Sequence, residues 1–529
     1  MKKTTGILLS SILTMSLLAG CTEKEDVSKE QNQPPENFNK TNYPIVNEPI
    51  TLKMMGQASP LQPAWGEMGF FKEMNTLTNI DFEFITATSD QFKQKKQLAF
   101  SSLELPDLFF GGQFTANEEV DYGSQGLLIP LEDLIEKYAP NLQKVMEKYP
   151  DLKASITAPD GHIYTLPGID NLSHSQAPLI WMNGYWLENL GADRPETTEE
   201  LYQLFKDFKA KDANQNGVDD EIPLSASSIK ELRFNLLPAF GINQSSGITE
   251  VDGEVKFAFI QDEYKAYLQF LNRLYNEKLL DQQIFSHTWE QYVAKGAENK
   301  VGVFPTWPIV MIGFADVTEA AKYPLLPALT SPVNDKKIVT KISEIKRGRF
   351  AITNENEHPE ATMRWIDHLY SEEGSILARL GVEGKNWEWT DSSKSAWRLL
   401  APEGMNTTQA NAQDAPGAGT PIPMVIDNDF FLKEDNPTIH KIAGWVEEEY
   451  LPHVEVPFPQ VYLTMDEQNT VNTLRPDIDS YIEQMEAKFV SGGASFDEWD
   501  KYVNTLKGLG VEELVSIHQA AYDRFADAK

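Results

Sequence analysis

Residues 212–221 read Asp212-Ala213-Asn214-Gln215-Asn216-Gly217-Val218-Asp219-Asp220-Glu221. Side-chain oxygens stand at loop positions one, three, five and nine, with glycine at six. A hard cation such as Ca²⁺, which takes about six to eight oxygen ligands, is the chemistry this spacing serves. Gly217 permits the sharp turn, and Val218 at position seven would offer its backbone carbonyl. Position twelve is Pro223 rather than the bidentate glutamate of an EF-hand, and Glu221 at position ten is the obvious substitute. Residues 222–224 look extended, so no second helix follows. A structural calcium pinning a loop is therefore expected rather than a sensor. An Asx-rich surface turn without an ion would use the same residue types.

Other chemistry finds little support. The chain lacks a Gly-x-Ser-x-Gly elbow, a His-Glu-x-x-His helix, a Walker A loop and a dinucleotide-binding glycine fingerprint. Its eight histidines show no ligand spacing. Among 79 acidic residues no spacing singles out a glycosidase-type carboxylate pair. The single cysteine, Cys21, excludes an intrachain disulfide and has a different use. Lys2 and Lys3 precede the short apolar run 6–17, and Leu18-Ala19-Gly20 leads directly into Cys21. This resembles a bacterial lipobox, in which the cysteine becomes the acylated first residue of the mature chain. An ordinary signal peptide with an incidental cysteine is the other reading. Residues 21–47 are polar, charged and hold Pro34-Pro35, and so read as a flexible leash. The lipid is then the only membrane attachment. A formal net charge of −33 opposes polyanion binding, which argues against nucleic acid.

The elements that must position these residues alternate strand-like runs with amphipathic helices, an α/β pattern. Strands are expected at 50–56, 80–85, 105–110, 162–166, 176–183, 301–304 and 350–353. Thr197 and Glu200 form a capping box, after which Leu201, Leu204, Phe205 and Phe208 share one helix face. A helix starts at Pro359. The C-terminal part is helical, with Ile478, Ile482, Met485, Phe489 and Trp499 facing a core.

Several segments carry a family resemblance: the lipobox, 179–224 (LIWMNGYWLENLGADRPETTEELYQLFKDFKAKDANQNGVDDEIPL), VGVFPTW, HPEATMRWIDHLYSEEG, GVEGKNWEW and the C-terminal run through AYDRF. Together they resemble the extracellular solute-binding lipoproteins of carbohydrate ABC importers, in the LipO/LplA-like group that includes alginate-oligosaccharide binding proteins. The resemblance implies a type II periplasmic-binding-protein-like fold, with two α/β lobes, a ligand cleft between them and a helical C-terminus. Lobe one would comprise 48–177 and 342–400, and lobe two 178–341 and 401–529, behind a signal peptide at 1–20. The family's calcium ligands match Asp212, Asn214, Asn216, the Val218 carbonyl, Asp220 and Glu221.

Sugar binding needs flat aromatic faces and planar polar groups. By resemblance, Trp181, Trp307, Trp387, Trp389, Trp65 and Phe110 would line the cleft, with Asn183 and Asp107 as polar partners. The resulting expectation is a non-catalytic, monomeric receptor, lipid-anchored on the outer face of the cell membrane. It would capture an oligosaccharide and deliver it to an ABC permease. A surface-anchored glycan-degrading enzyme, a receptor for a non-sugar solute, and an accessory to a sensor kinase are the alternatives.

Overall fold

A computed structural model describes residues 37–243, 246–306, 311 and 317–527. Cys21, the signal segment and Trp307 lie outside the described residues. Among the described residues, no helix is long and apolar enough to cross a membrane.

Two sheets organise the chain. The larger has six strands in the spatial order Val425–Ile426, Leu166–Asp170, Ile345–Ile352, Leu108–Phe110, Ile50–Gln57 and Ile80–Ala87. Ile50–Gln57 runs parallel to both Ile80–Ala87 and Leu108–Phe110, whereas Ile345–Ile352 is antiparallel to its two neighbours. Parallel neighbours require crossover connections, supplied here by the helices Gly69–Thr78 and Ser89–Ser102. The central strand Leu108–Phe110 is apolar and buried throughout, and Met54 beside it is fully buried, whereas the edge strand Ile80–Ala87 alternates, with Asp81 and Glu83 exposed. The smaller sheet places Val301–Phe304 between Trp181–Met182 and Ile222–Leu224. Around it pack Trp186, Phe205, Phe208, Tyr264 and Tyr267, together with Ile478, Phe489, Trp499 and Tyr502 from the C-terminal helices.

The lobes are joined by segments that hydrogen-bond to one another. Ile342 N–H donates to the Gln176 carbonyl, and Lys341 N–H to the Glu455 carbonyl, both at 2.8 Å. Val339–Thr340 pairs with Val454–Glu455 at the same place.

Three expectations need correction. Residues 401–435 stay with the first lobe: Val425–Ile426 adds a parallel edge strand to Leu166–Asp170, and Ile422, Met424, Phe430 and Phe431 join that lobe's core. The chain changes lobe at the helix Pro437–Glu449, whose Ile442 and Val446 pack with Trp181 and Tyr323. The leash ends earlier than residue 47, because Ile45 and Val46 are buried and Arg364 Nη1 donates to the Asn42 carbonyl at 2.9 Å. The strand expected at 162–166 forms instead at Leu166–Asp170.

Candidate ligand groove and oxygen-rich loop

Two adjoining cavities of about 440 Å³ each share Asp170, His174, Ser175 and Lys346. One is bounded by Trp181 and Pro305 of the second lobe and by the crossing residues Ala177 and Ile342. The other continues along the first lobe past Arg349 and Arg379 to Gly419 and Thr420. The result is a groove spanning both lobes. In open α/β sheets, ligands enter at the carboxyl ends of parallel strands. Gly111, which follows Leu108–Phe110, lies at such an end: a Cβ there would meet Thr420 at 2.9 Å.

Lys346 and Arg349 come from one strand but do not obey simple alternation. The register shifts between Lys346 and Phe350, and Gly348 takes the left-handed φ of 71°. A Cβ on Gly348 would lie 2.0 Å from the Phe114 carbonyl oxygen, so only glycine fits this bulge. Lys346 and Arg349, three residues apart, therefore line one groove, while Arg347 turns to Glu119 and lies 3.6 Å from the Tyr462 ring. Lys346 Nζ donates to the Ser343 carbonyl at 2.6 Å, Arg349 Nη1 to Gln113 Oε1, and Arg379 Nη1 to the Gly417 carbonyl at 2.6 Å. Burial lowers the pKa of all three from their ordinary values; the carboxylates of Asp170 and Glu344 oppose that at Lys346, and those of Asp170 and Glu434 at Arg379. His174 is likewise pushed down by burial.

Of the residues expected to bind ligand, Trp181 borders the groove, although its ring is fully buried in the second lobe's core. Asn183 caps the helix Gly184–Leu190: its Oδ1 accepts from Trp186 N–H, and its Nδ2 donates to Asn299 Oδ1 and the Val301 carbonyl. Asp107 stands at the amino end of Leu108–Phe110, where its Oδ2 accepts from Lys53 N–H at 2.6 Å. Trp65 is 1% exposed; it stacks on Phe71 and meets Phe110 edge-on at 5.7 Å. Both Trp65 and Phe110 are core. Trp387 and Trp389 border a different hollow of about 970 Å³ on the first lobe, with Tyr43, His368 and Lys433. Trp387 also donates to the Gly381 carbonyl and packs on Trp397. The structure thus separates this pair from Trp181. The groove's basic residues were missed at sequence level, because a bulge and a helix 30 residues further on bring them together.

The oxygen-rich loop follows the helix Thr198–Ala210, started by the reciprocal Thr197–Glu200 cap. Asp212 accepts from the backbone N–H groups of Asn216 and Gly217, at 3.0 and 3.1 Å. The amides of Asn214 and Asn216 both donate to Asp220 Oδ1 at 3.0 Å. Gly217 takes the expected left-handed turn, with φ of 76°. Among the described residues, no three His, Cys, Asp or Glu side chains gather as a metal-holding group. The donor set nevertheless suits a hard cation, being two aspartates, a glutamate, two amides and a carbonyl. Glu221 is 2% exposed, and its Oε1 is buried without a hydrogen-bond partner. A buried oxygen of that kind calls for a counter-charge.

The fold and this interlobe groove are those of a solute receptor. Residues 55–376 match the bacterial extracellular solute-binding protein family, and the chain belongs to it. The fructooligosaccharide ABC transporter substrate-binding protein FusA of Streptococcus pneumoniae serotype 4 is 30% identical, over 97% of each chain. Its solved structure with kestose is similar with a TM-score of 0.76 and 30% identity, covering 91% of this chain and 100% of that one. A FusA EF-hand mutant with fructo-nystose gives 0.75 and 29%, over the same shares.

Proposed function

We propose that this protein is an externally anchored receptor that traps an oligosaccharide between its lobes and presents it to an ABC permease. The observation carrying the reading is the groove that joins Trp181 of one lobe to Lys346 of the other. Its support is the likeness, along nearly the whole chain, to a transporter's fructooligosaccharide receptor. The hydrogen-bonded crossing segments suit hinge closure of the kind seen in periplasmic binding proteins. Acylation at Cys21 would hold the receptor near its permease. The test is tryptophan fluorescence of the full chain titrated with a glycan panel. Saturable quenching or a blue shift with one glycan class supports capture; a flat response across the panel removes it.

The loop at 212–221 is proposed to hold Ca²⁺ through Asp212, Asn214, Asn216, the Val218 carbonyl, Asp220 and Glu221. The unpartnered Glu221 Oε1 supports this, as does the EF-hand named for a FusA variant. Bound calcium would supply charge neutralisation, cross-linking the end of Thr198–Ala210 to the start of Ile222–Leu224. Its role is structural, because the groove's lining does not include these residues.

A further inference from the structure

We infer that Tyr462 is a clasp between the lobes, set on the side of the hinge away from the groove, which opposes closure and so tunes the affinity of capture. The inference rests on the capture proposed above and adds what limits it. By its backbone, Tyr462 belongs to the second lobe. Phe458, four residues earlier, lies against the rings of His518 and Tyr522 on the helix Val511–Asp527. From the same helix, Arg524 Nη2 donates to the Tyr462 carbonyl at 3.3 Å and Arg524 Nη1 to Glu467 Oε1 at 2.8 Å. The Tyr462 side chain is nevertheless buried in the first lobe, packed with Phe109, Phe114, Val120 and Tyr164. Its hydroxyl donates to Glu119 Oε2 on the helix Ala116–Ser124, and the Arg347 guanidinium covers its ring. Arg347 Nη1 also donates to the Gln460 carbonyl at 3.2 Å.

Strand geometry decides on which side the clasp lies. Arg347 directly follows Lys346, and successive strand residues face opposite ways. Lys346 lines the groove, whereas Glu119, Arg347 and Tyr462 do not. Two bodies turning about a hinge approach on one side of it as they part on the other. Closing the lobes over a ligand therefore draws Tyr462 away from Glu119 and Arg347. The socket is built to give. Arg347 Nη2 stands 3.7 Å from Glu119 Oε2, too far for a hydrogen bond. Arg347 Nε is buried with no hydrogen-bond partner among the described residues. A receptor held open in this way binds with its intrinsic affinity reduced by the fraction of chains free to close. Loosening the clasp raises that fraction.

The experiment is calorimetric titration of the full chain and three variants with kestose, maltotriose, mannotriose and trigalacturonate, with a thermal melt of each. Tyr462→Phe keeps the ring and removes the donor, and Glu119→Gln keeps an acceptor and removes the charge. Both are expected to lower Tm yet bind the parent's preferred trimer about 5-fold or more tightly, the scale of a coupling between two sites. Tyr202→Phe is the control. It also loses a hydroxyl-to-carboxylate bond, to Glu277 at 2.7 Å, but one that lies within the second lobe. It should lower Tm and leave affinity at the parental value. A purely structural role for Tyr462 does not raise affinity as stability falls. Parental or weaker affinity in Tyr462→Phe overturns the clasp and leaves sugar capture standing; should that variant not fold, Glu119→Gln decides by the same criterion. Silence of every trimer toward parent and variants alike overturns capture itself and this inference with it.

Discussion

The Ile342 amide donates to the Gln176 carbonyl at 2.8 Å, tying together two of the segments that cross between the lobes. This bond couples the strand that brings Lys346 to the segment that leads into Trp181. Ile342→Pro removes the donor and should cost about 1 kcal/mol or more of stability. It should also weaken ligand binding, because the groove's two sides lose their common brace. Thermal melts and a fluorescence titration check both effects; a variant with parental Tm and parental affinity would show that the bond has no bracing role.

Calcium should raise the melting temperature of the parent, and EDTA should reverse the gain. At a hundredfold excess over its dissociation constant the ion would add about 2.7 kcal/mol. Asp212→Ala should melt near the EDTA-treated parent and ignore added Ca²⁺. If parent and variant melt together with and without the ion, the loop is an ordinary Asx-rich turn. Ligand selectivity should persist in EDTA, since the loop stands apart from the groove.

Trp65 is a packing residue despite its place after the first strand. Gly56 has no Cβ, and one there would come within 2.4 Å of the Trp65 ring, so the indole packs directly against the strand's backbone. Trp65→Ala should cost about 3–5 kcal/mol, read by urea unfolding. The fraction that stays folded should bind ligand with parental affinity; a large affinity loss without destabilisation would return Trp65 to the cleft.

His162 and Glu132 make a pH-dependent contact, with Nδ1 and Oε1 2.6 Å apart. The hydrogen bond to Glu132 raises the His162 pKa above its ordinary 6.5. A raised folded-state value stabilises the fold below about 6.5, and that contribution fades as pH climbs through the higher folded value. The pair is exposed, so the effect is small. The difference in Tm between parent and His162→Gln should therefore be larger at pH 6 than at pH 9. A difference that is constant across that range would remove the contact's charge.

Local signals were legible in the sequence, and long-range ones were not. Thr197 and Glu200 announce the helix Thr198–Ala210, because a capping box is complete within four residues. Gly217 announces its turn for a similar reason. The lobe membership of residues 401–435 depends on Val425 finding Ile169, a partner with no local trace. Tryptophan is ambiguous by nature: its large apolar ring serves a core as readily as a sugar face. Trp65 and Trp387 accordingly resemble ligand platforms in the sequence and pack on Phe71 and Trp397 in the fold. The basic groove was hidden by the bulge at Gly348, which brings Lys346 and Arg349 together against strand alternation.

Capture of a sugar between the lobes is tested most directly by equilibrium titration of the full chain with an oligosaccharide panel, followed by chromatography of the recovered ligand. One class of oligosaccharide should bind saturably at one site per chain, lose affinity when Lys346 or Arg349 is replaced by glutamine, and be recovered intact. Failure of every oligosaccharide to bind, or recovery of shortened products, would contradict a receptor that holds its ligand for transport.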